Sequence, residues 1–92
     1  MEKTIHSPEH QRLARTLRAR RHYIGLRQLD LAERLDVSQT IVSKYEQGER
    51  RLDLIELRQV CEALETDLVE FVTEFERTRP DHEATVSRPP KP

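Results

Sequence analysis

Several residue types are scarce in this 92-residue chain, and each scarcity narrows the range of structures that the chain can adopt. Two glycines and four aromatic residues accompany 36% charged residues, a composition that suits one helical domain with a small aliphatic core. The one cysteine, Cys61, cannot form an internal disulfide, which favours a reducing environment and a place in the core. No apolar run is long enough to span a membrane and no signal peptide is evident, so we expect a cytoplasmic protein.

Patterns that carry catalysis or bind metals are also missing. The four histidines are scattered, and none lies at metal-ligand spacing from a cysteine or carboxylate. The chain has no glycine-rich phosphate loop, and no serine has a base nearby in the sequence. We therefore expect no enzymatic activity, no metal site and no cofactor.

The net charge of −1 conceals an uneven distribution. Residues 9–51 carry ten Arg or Lys against six Asp or Glu, a balance of +4, whereas residues 52–79 carry three against eight, a balance of −5. A basic half next to an acidic half is expected when one face of a protein meets a polyanion. An ordinary solvated helical surface would explain the charges equally well.

Capping residues and apolar periodicity predict five helices and no strand. The first begins at Ser7-Pro8-Glu9, runs to about Tyr23 and ends at Gly25. We expect the others over residues 28–35, over 39–47 with Ser38 as cap, after a capping box at 53–56, and after a second box at 67–70. The positions expected to face the core on the second to fourth helices are Leu31, Ala32, Leu35, Val42, Tyr45, Leu54, Leu57, Cys61 and Leu64.

The ends of the chain lack this periodicity. We expect residues 8–77 to form the domain, residues 1–7 to form a flexible arm, and residues 78–92, with several prolines, to form a disordered tail.

The second and third helices are short and joined by a tight turn, the layout of a helix-turn-helix. Val42 and Tyr45 lie on one face of the third helix, and the opposite face carries Gln39, Thr40, Ser43, Lys44 and Gln47. Glutamine pairs with adenine and lysine donates to guanine, so this face suits base edges in the major groove. A plain surface helix would also be polar outside, so this helix alone does not decide the function.

The chain resembles the XRE family, the lambda-repressor-like helix-turn-helix proteins related to phage repressors and Cro. The resemblance covers about residues 9–75 and is carried by Gly25-Leu-Arg-Gln28, Leu31-Ala32-Glu-Arg-Leu35, Val37-Ser38-Gln39 and Val42-Ser43-Lys-Tyr-Glu46-Gln-Gly48-Glu-Arg50. It implies an all-α, five-helix domain of the lambda-repressor type with the helix-turn-helix at helices 2 and 3.

The resemblance also implies what individual residues do. Base-reading positions are occupied by Gln39, Thr40, Ser43 and Lys44, and positions that contact the DNA backbone are occupied by Gln28, Arg50 and Arg51. It implies a cytoplasmic protein of bacterial or phage type that binds double-stranded DNA in the nucleoid. Repression is the default mode of regulation, because the chain has no ligand-sensing domain. The alternative is an antitoxin or adaptor whose acidic C-terminal half binds a partner protein.

The chain departs from the family pattern at three positions. Arg27 stands where a capping Ser or Thr is common, which removes a cap but could add a phosphate contact. Asp36 stands where glycine is common, at a turn that requires a left-handed backbone, which aspartate tolerates. Leu29 occupies a position that is usually polar, either as a harmless surface residue or as a partner contact.

A single helix-turn-helix of this size reads few base pairs, so we expect a homodimer on a palindromic operator. Of the apolar residues on the fifth helix, Phe75 has the least obvious internal partner. We therefore expect a two-fold seam built from Leu68, Val72 and Phe75, the alternative being that Phe75 folds back on its own domain.

One charged residue interrupts the apolar row of the first helix. Arg21 follows Leu13 and Leu17 at helical spacing, and Glu46 lies on the inner side of the third helix after Tyr45. A buried charge needs a partner, and the family pattern pairs these two positions. We expect a bidentate salt bridge between them that orients the third helix.

Overall fold

The computed structural model describes residues 7–80, which form five α-helices and contain no strand. The helices are α1 (Pro8–Tyr23), α2 (Gln28–Leu35), α3 (Gln39–Glu46), α4 (Leu54–Ala63) and α5 (Leu68–Arg77). The expected all-α, five-helix class is confirmed. The predicted flexible arm and disordered tail fall almost entirely on residues 1–6 and 81–92, which lie outside the described residues.

Side-chain caps start the helices where the sequence predicts them. The Ser7 hydroxyl accepts from the His10 N–H at 3.1 Å, and Asp53 and Glu56 complete a reciprocal capping box with bonds of 2.7 and 2.9 Å. The second predicted box forms only in part. Asp67 accepts from the Glu70 N–H at 2.7 Å, but the Glu70 carboxylate accepts from a threonine hydroxyl rather than from the Asp67 backbone.

Four helices end on a residue with a left-handed backbone. These residues are Gly25, Asp36, Gly48 and Glu65, with φ between 58° and 79°. At the end of α3, Gly48 N–H donates to the Tyr45 carbonyl and Glu49 N–H donates to the Lys44 carbonyl, the bond pair of a Schellman motif. The left-handed backbone expected at Asp36 is confirmed. Each of the four left-handed residues fixes the direction in which the chain leaves its helix.

The core lies where α1, α2, α3 and α4 meet. Its most buried side chains are Leu17, Leu31, Val42, Cys61 and Leu64. Leu54 does not join them, because it opens α4 before the turn that enters the core and is 64% exposed. The expectation that Leu54 faces inward is therefore wrong.

A buried arginine holds α5 against α1. Arg12 is 9% exposed, and its Nη1 donates to the Phe75 carbonyl at 2.6 Å and to the Thr78 hydroxyl at 3.1 Å. Its guanidinium also lies 3.8 Å from the centre of the Phe75 ring. Phe75 thus has an internal partner, contrary to the sequence-based expectation, and Leu68 likewise packs on the core of its own domain.

Candidate nucleic-acid interface

The outward face of α3 carries all four side chains expected to read bases. With Gln47 and Glu49, the residues Gln39, Thr40, Ser43 and Lys44 line one shallow surface concavity, called here the reading face. The opposite side of α3 is buried through Val42 and Tyr45. The amphipathic pattern thus fixes which side of the helix meets solvent.

A chain of hydrogen bonds runs from α1 to the reading face. Arg21 Nε and Nη2 donate to the two carboxylate oxygens of Glu46 at 2.6 and 2.9 Å. Gln28 Nε2 donates to Glu46 Oε1 at 3.0 Å, and Gln39 Nε2 donates to Gln28 Oε1 at 3.3 Å. The chain therefore joins the end of α1, both ends of α3 and the start of α2, with Gln39 as its exposed terminus.

The ion pair at the base of this chain is shielded from water. The side chains of Arg21 and Glu46 are 7% and 2% exposed. The hydrogen bonds to Glu46 raise the pKa of Arg21, which opposes the effect of burial. Arg21 Nη1 also donates to the Leu26 carbonyl at 2.8 Å, so the same guanidinium fixes the turn that leads into α2.

The start of α2 is organised differently from the family pattern. Arg27 supplies no side-chain cap; instead, its backbone N–H and guanidinium donate to the Asp30 carboxylate at 2.8–3.0 Å. These bonds lower the pKa of Asp30 to about 2. Among residues 7–80, no side chain accepts from the first-turn N–H groups of α2, a geometry that favours an anion at this helix end. The Gln28 side chain turns toward Glu46 and Gln39.

The two arginines after α3 differ in their surroundings. Arg50 Nη2 donates to the Glu56 carboxylate at 3.1 Å, and both side chains are partly exposed. Arg50 Nε is buried without a hydrogen-bond partner among the described residues. Arg51 is exposed. The positive charge of Arg50 is therefore partly compensated within the domain, and the two residues are not equivalent.

Glu49 is a member of the reading face that the sequence analysis missed. Its side chain is exposed, and its backbone is fixed against Lys44 by a hydrogen bond of 2.8 Å. The sequence does contain the signal, because the residue after a helix-ending glycine returns its N–H to the last turn. An acid here adds negative charge to a face that is otherwise polar or basic.

Cys61 belongs to the core. It is fully buried, and burial raises the pKa of its thiol to about 11, so the unreactive protonated form prevails near neutral pH. Within residues 7–80 no group of His, Cys, Asp and Glu could hold a metal ion. The described helices are all too short or too polar to cross a membrane.

Comparison with known proteins identifies relatives of this architecture. The family described as helix-turn-helix domain matches residues 12–72. The wild-type restriction-modification controller protein C.Esp1396I is 25% identical with a TM-score of 0.70, over 75% of this chain and 91% of that one. The same controller protein has been solved as a tetramer in complex with its natural 35 base-pair operator.

A second relative comes from Corynebacterium glutamicum. The clp gene regulator ClgR is 25% identical with a TM-score of 0.72, over 88% of this chain and 86% of that one. No curated protein matches the chain in sequence. The family match and the shared fold lead to one conclusion: the chain belongs to the XRE-type helix-turn-helix family of DNA-binding transcription regulators.

Proposed function

We propose that this protein is a sequence-specific repressor that reads double-stranded DNA through Gln39, Thr40, Ser43 and Lys44. The observation that carries the proposal is the reading face itself, where these side chains stand together on a helix whose other side is buried. Gln28 holds the Gln39 amide in one orientation before DNA arrives, which reduces the entropy lost when Gln39 pairs with a base.

Phosphate binding is assigned to the two ends of the helix-turn-helix. On the α2 side, the uncapped N–H groups beginning at Gln28 and the exposed Arg27 guanidinium face the backbone. On the α3 side, Arg50 and Arg51 both supply positive charge, Arg50 while paired with Glu56. These contacts supply affinity and register without sequence preference.

The protein acts as a homodimer through α5 on a palindrome with half-sites about 10 bp apart. Leu68 and Phe75 pack inside the domain, so Val72, which is 39% exposed, becomes the seam residue of the three expected from the sequence. In sedimentation, Val72→Asp should give a monomer. Val69→Asp is the control, because Val69 is 76% exposed and lines a groove between α1 and α5. This variant carries the same added charge and should remain a dimer. A dimeric Val72→Asp would refute the seam.

The test of base reading is selection of bound sequences from random DNA. Gln39→Ala and Lys44→Ala should each weaken binding to the selected site by about 1–3 kcal/mol and relax preference at particular base pairs. Gln59→Ala, a glutamine exposed on α4, is the matched control and should keep the wild-type preference. Unchanged preference in both reading-face variants would overturn the assignment.

Repression is tested with a reporter behind the selected operator, whose output should fall when the protein is expressed.

A further inference from the structure

A basic stripe on α1 is not used by the proposed reading face or its phosphate contacts. It consists of Gln11, Arg15, Arg18 and His22, spaced four, three and four residues apart, so that the side chains follow one another along one side of the helix. This α1 stripe is about 16 Å long. Arg15, Arg18 and His22 are all exposed.

The two arginines of the α1 stripe differ from most others in the domain. Arg20 donates to the Leu64 carbonyl at 2.9 Å, and Arg34 pairs with Glu65 at 3.0 Å. Arg15 and Arg18, in contrast, form no ion pair or hydrogen bond within residues 7–80. They lie one turn apart with no acid in the stripe, so their mutual repulsion is not compensated in the free protein.

One end of the α1 stripe touches an element assigned to DNA, and the other end lies beside the Arg21 guanidinium. At one end, Gln11 Nε2 donates to the carbonyl of Gly48, the residue that ends α3, at 3.4 Å. At the other end, the His22 ring lies 3.2 Å from Arg21 Nη2, the guanidinium that holds Glu46. The stripe therefore begins beside the loop after α3, which carries Arg50, and ends beside the ion pair that holds α3.

We propose that Arg15 and Arg18 bind phosphates of the same DNA duplex, beyond those contacted by the α2 start and the α3–α4 loop. An extended anion is the partner that fits two exposed guanidiniums that make no ion pair within residues 7–80 and that lie in a row beginning beside the α3–α4 loop. Arg15 and Arg18 lie equally far from the middle of the stripe, and Arg15 also borders the groove between α1 and α5. This inference rests on the proposed function.

The experiment measures the salt dependence of binding to a 30-bp duplex of random sequence and to the operator obtained by selection. Because the proposed homodimer carries two copies of each arginine, Arg18→Gln and Arg15→Gln should each lower the slope of log K against log salt by about two units, and the double variant by about four. Affinity should fall by the same factor on both duplexes. Arg58→Gln is the matched control, because Arg58 is exposed on α4 and forms no ion pair within the part of the chain that the structure describes, and the substitution changes the net charge equally.

Shortening the operator tests whether the phosphates lie on the same duplex. Removing the base pairs that flank the half-sites should weaken wild-type binding. The wild type should then bind the shortened operator with no higher affinity than the double variant. An advantage that survives the shortening would show that the arginines contact a second duplex or another protein, and would overturn the inference.

The remaining outcomes separate this inference from the proposed function. If the wild type binds DNA and the salt slopes of Arg15→Gln and Arg18→Gln equal the wild-type slope, the α1 stripe is a solvated surface. In that case the inference fails and the proposed function stands. If the wild type shows no salt-dependent binding to either duplex, the proposed function fails with it. Thermal unfolding of each variant should match the wild type, because both side chains are exposed.

Discussion

The buried pair of Arg21 and Glu46 permits a quantitative test of how the recognition helix is held. In Arg21→Met, the Glu46 carboxylate loses two hydrogen bonds of 2.6 and 2.9 Å and keeps one from Gln28 at 3.0 Å. Its side chain is 2% exposed, so water cannot replace the lost donors. We expect the free energy of unfolding to fall by about 3–5 kcal/mol.

The second arm of the cycle removes the acid. Glu46→Leu leaves the Arg21 guanidinium with the Leu26 carbonyl as its remaining strong acceptor, and a loss of similar size is expected. The double variant replaces the pair with apolar side chains, which leaves no buried charge unpaired. Its free energy of unfolding should fall by less than that of either single variant. The expected loss is about 1 kcal/mol, because the Leu26 carbonyl has lost its donor.

Urea unfolding at pH 7, monitored by circular dichroism, gives the free energy of unfolding of the wild type, the two single variants and the double variant. The exposed pair Arg34 and Glu65 provides the control cycle, because its side chains are 40% and 57% exposed and its coupling should stay below about 1 kcal/mol. Additive losses in the buried pair would show that the two charges do not depend on each other. DNA binding should fail in the single variants although neither residue touches DNA in the proposed complex.

Three further predictions concern single residues. Asp30→Asn should lower stability by a constant amount above about pH 5, and the difference from the wild type should shrink as the pH falls from about 5 through 2, because Arg27 lowers the pKa of Asp30 to about 2 only in the folded state; a difference in urea unfolding that stays the same between about pH 5 and pH 2 would contradict this. Cys61 should resist iodoacetamide at pH 8 in the native protein and react in urea, since burial raises the pKa of the thiol. Asp36→Gly should raise the unfolding free energy by about 0.5–1 kcal/mol and Asp36→Val should lower it, since the backbone there is left-handed with φ 58°.

The local parts of the fold could be predicted from the sequence because their causes are local. Ser7, Ser38 and Asp53 cap helices through hydrogen bonds that span three residues, so the caps are visible in the order of residues. The left-handed turn at Asp36 follows from the same short-range logic.

Several of the misses depend on distant contacts. Arg12 lies 63 residues from Phe75 in the sequence, and periodicity gives no sign that its guanidinium covers the Phe75 ring. Leu54 has the spacing of a core residue, yet its place at the start of α4 leaves it in solvent. At the candidate site, the residue types on α3 could be predicted, whereas the bond from Gln28 to Glu46 required knowing how α2 meets α3.

The unequal bonding of the side chains on α3 determines how operator preference can evolve. Gln39 is tied to Gln28 and through it to Glu46, so replacing it also disturbs the contacts that seat the helix. Thr40 and Lys44 are exposed and have no side-chain hydrogen bond to the rest of the domain. If Thr40 and Lys44 read bases as proposed, substitutions at these two positions should change the operator preference at little cost in folding, which makes them the first positions to randomise when engineering specificity.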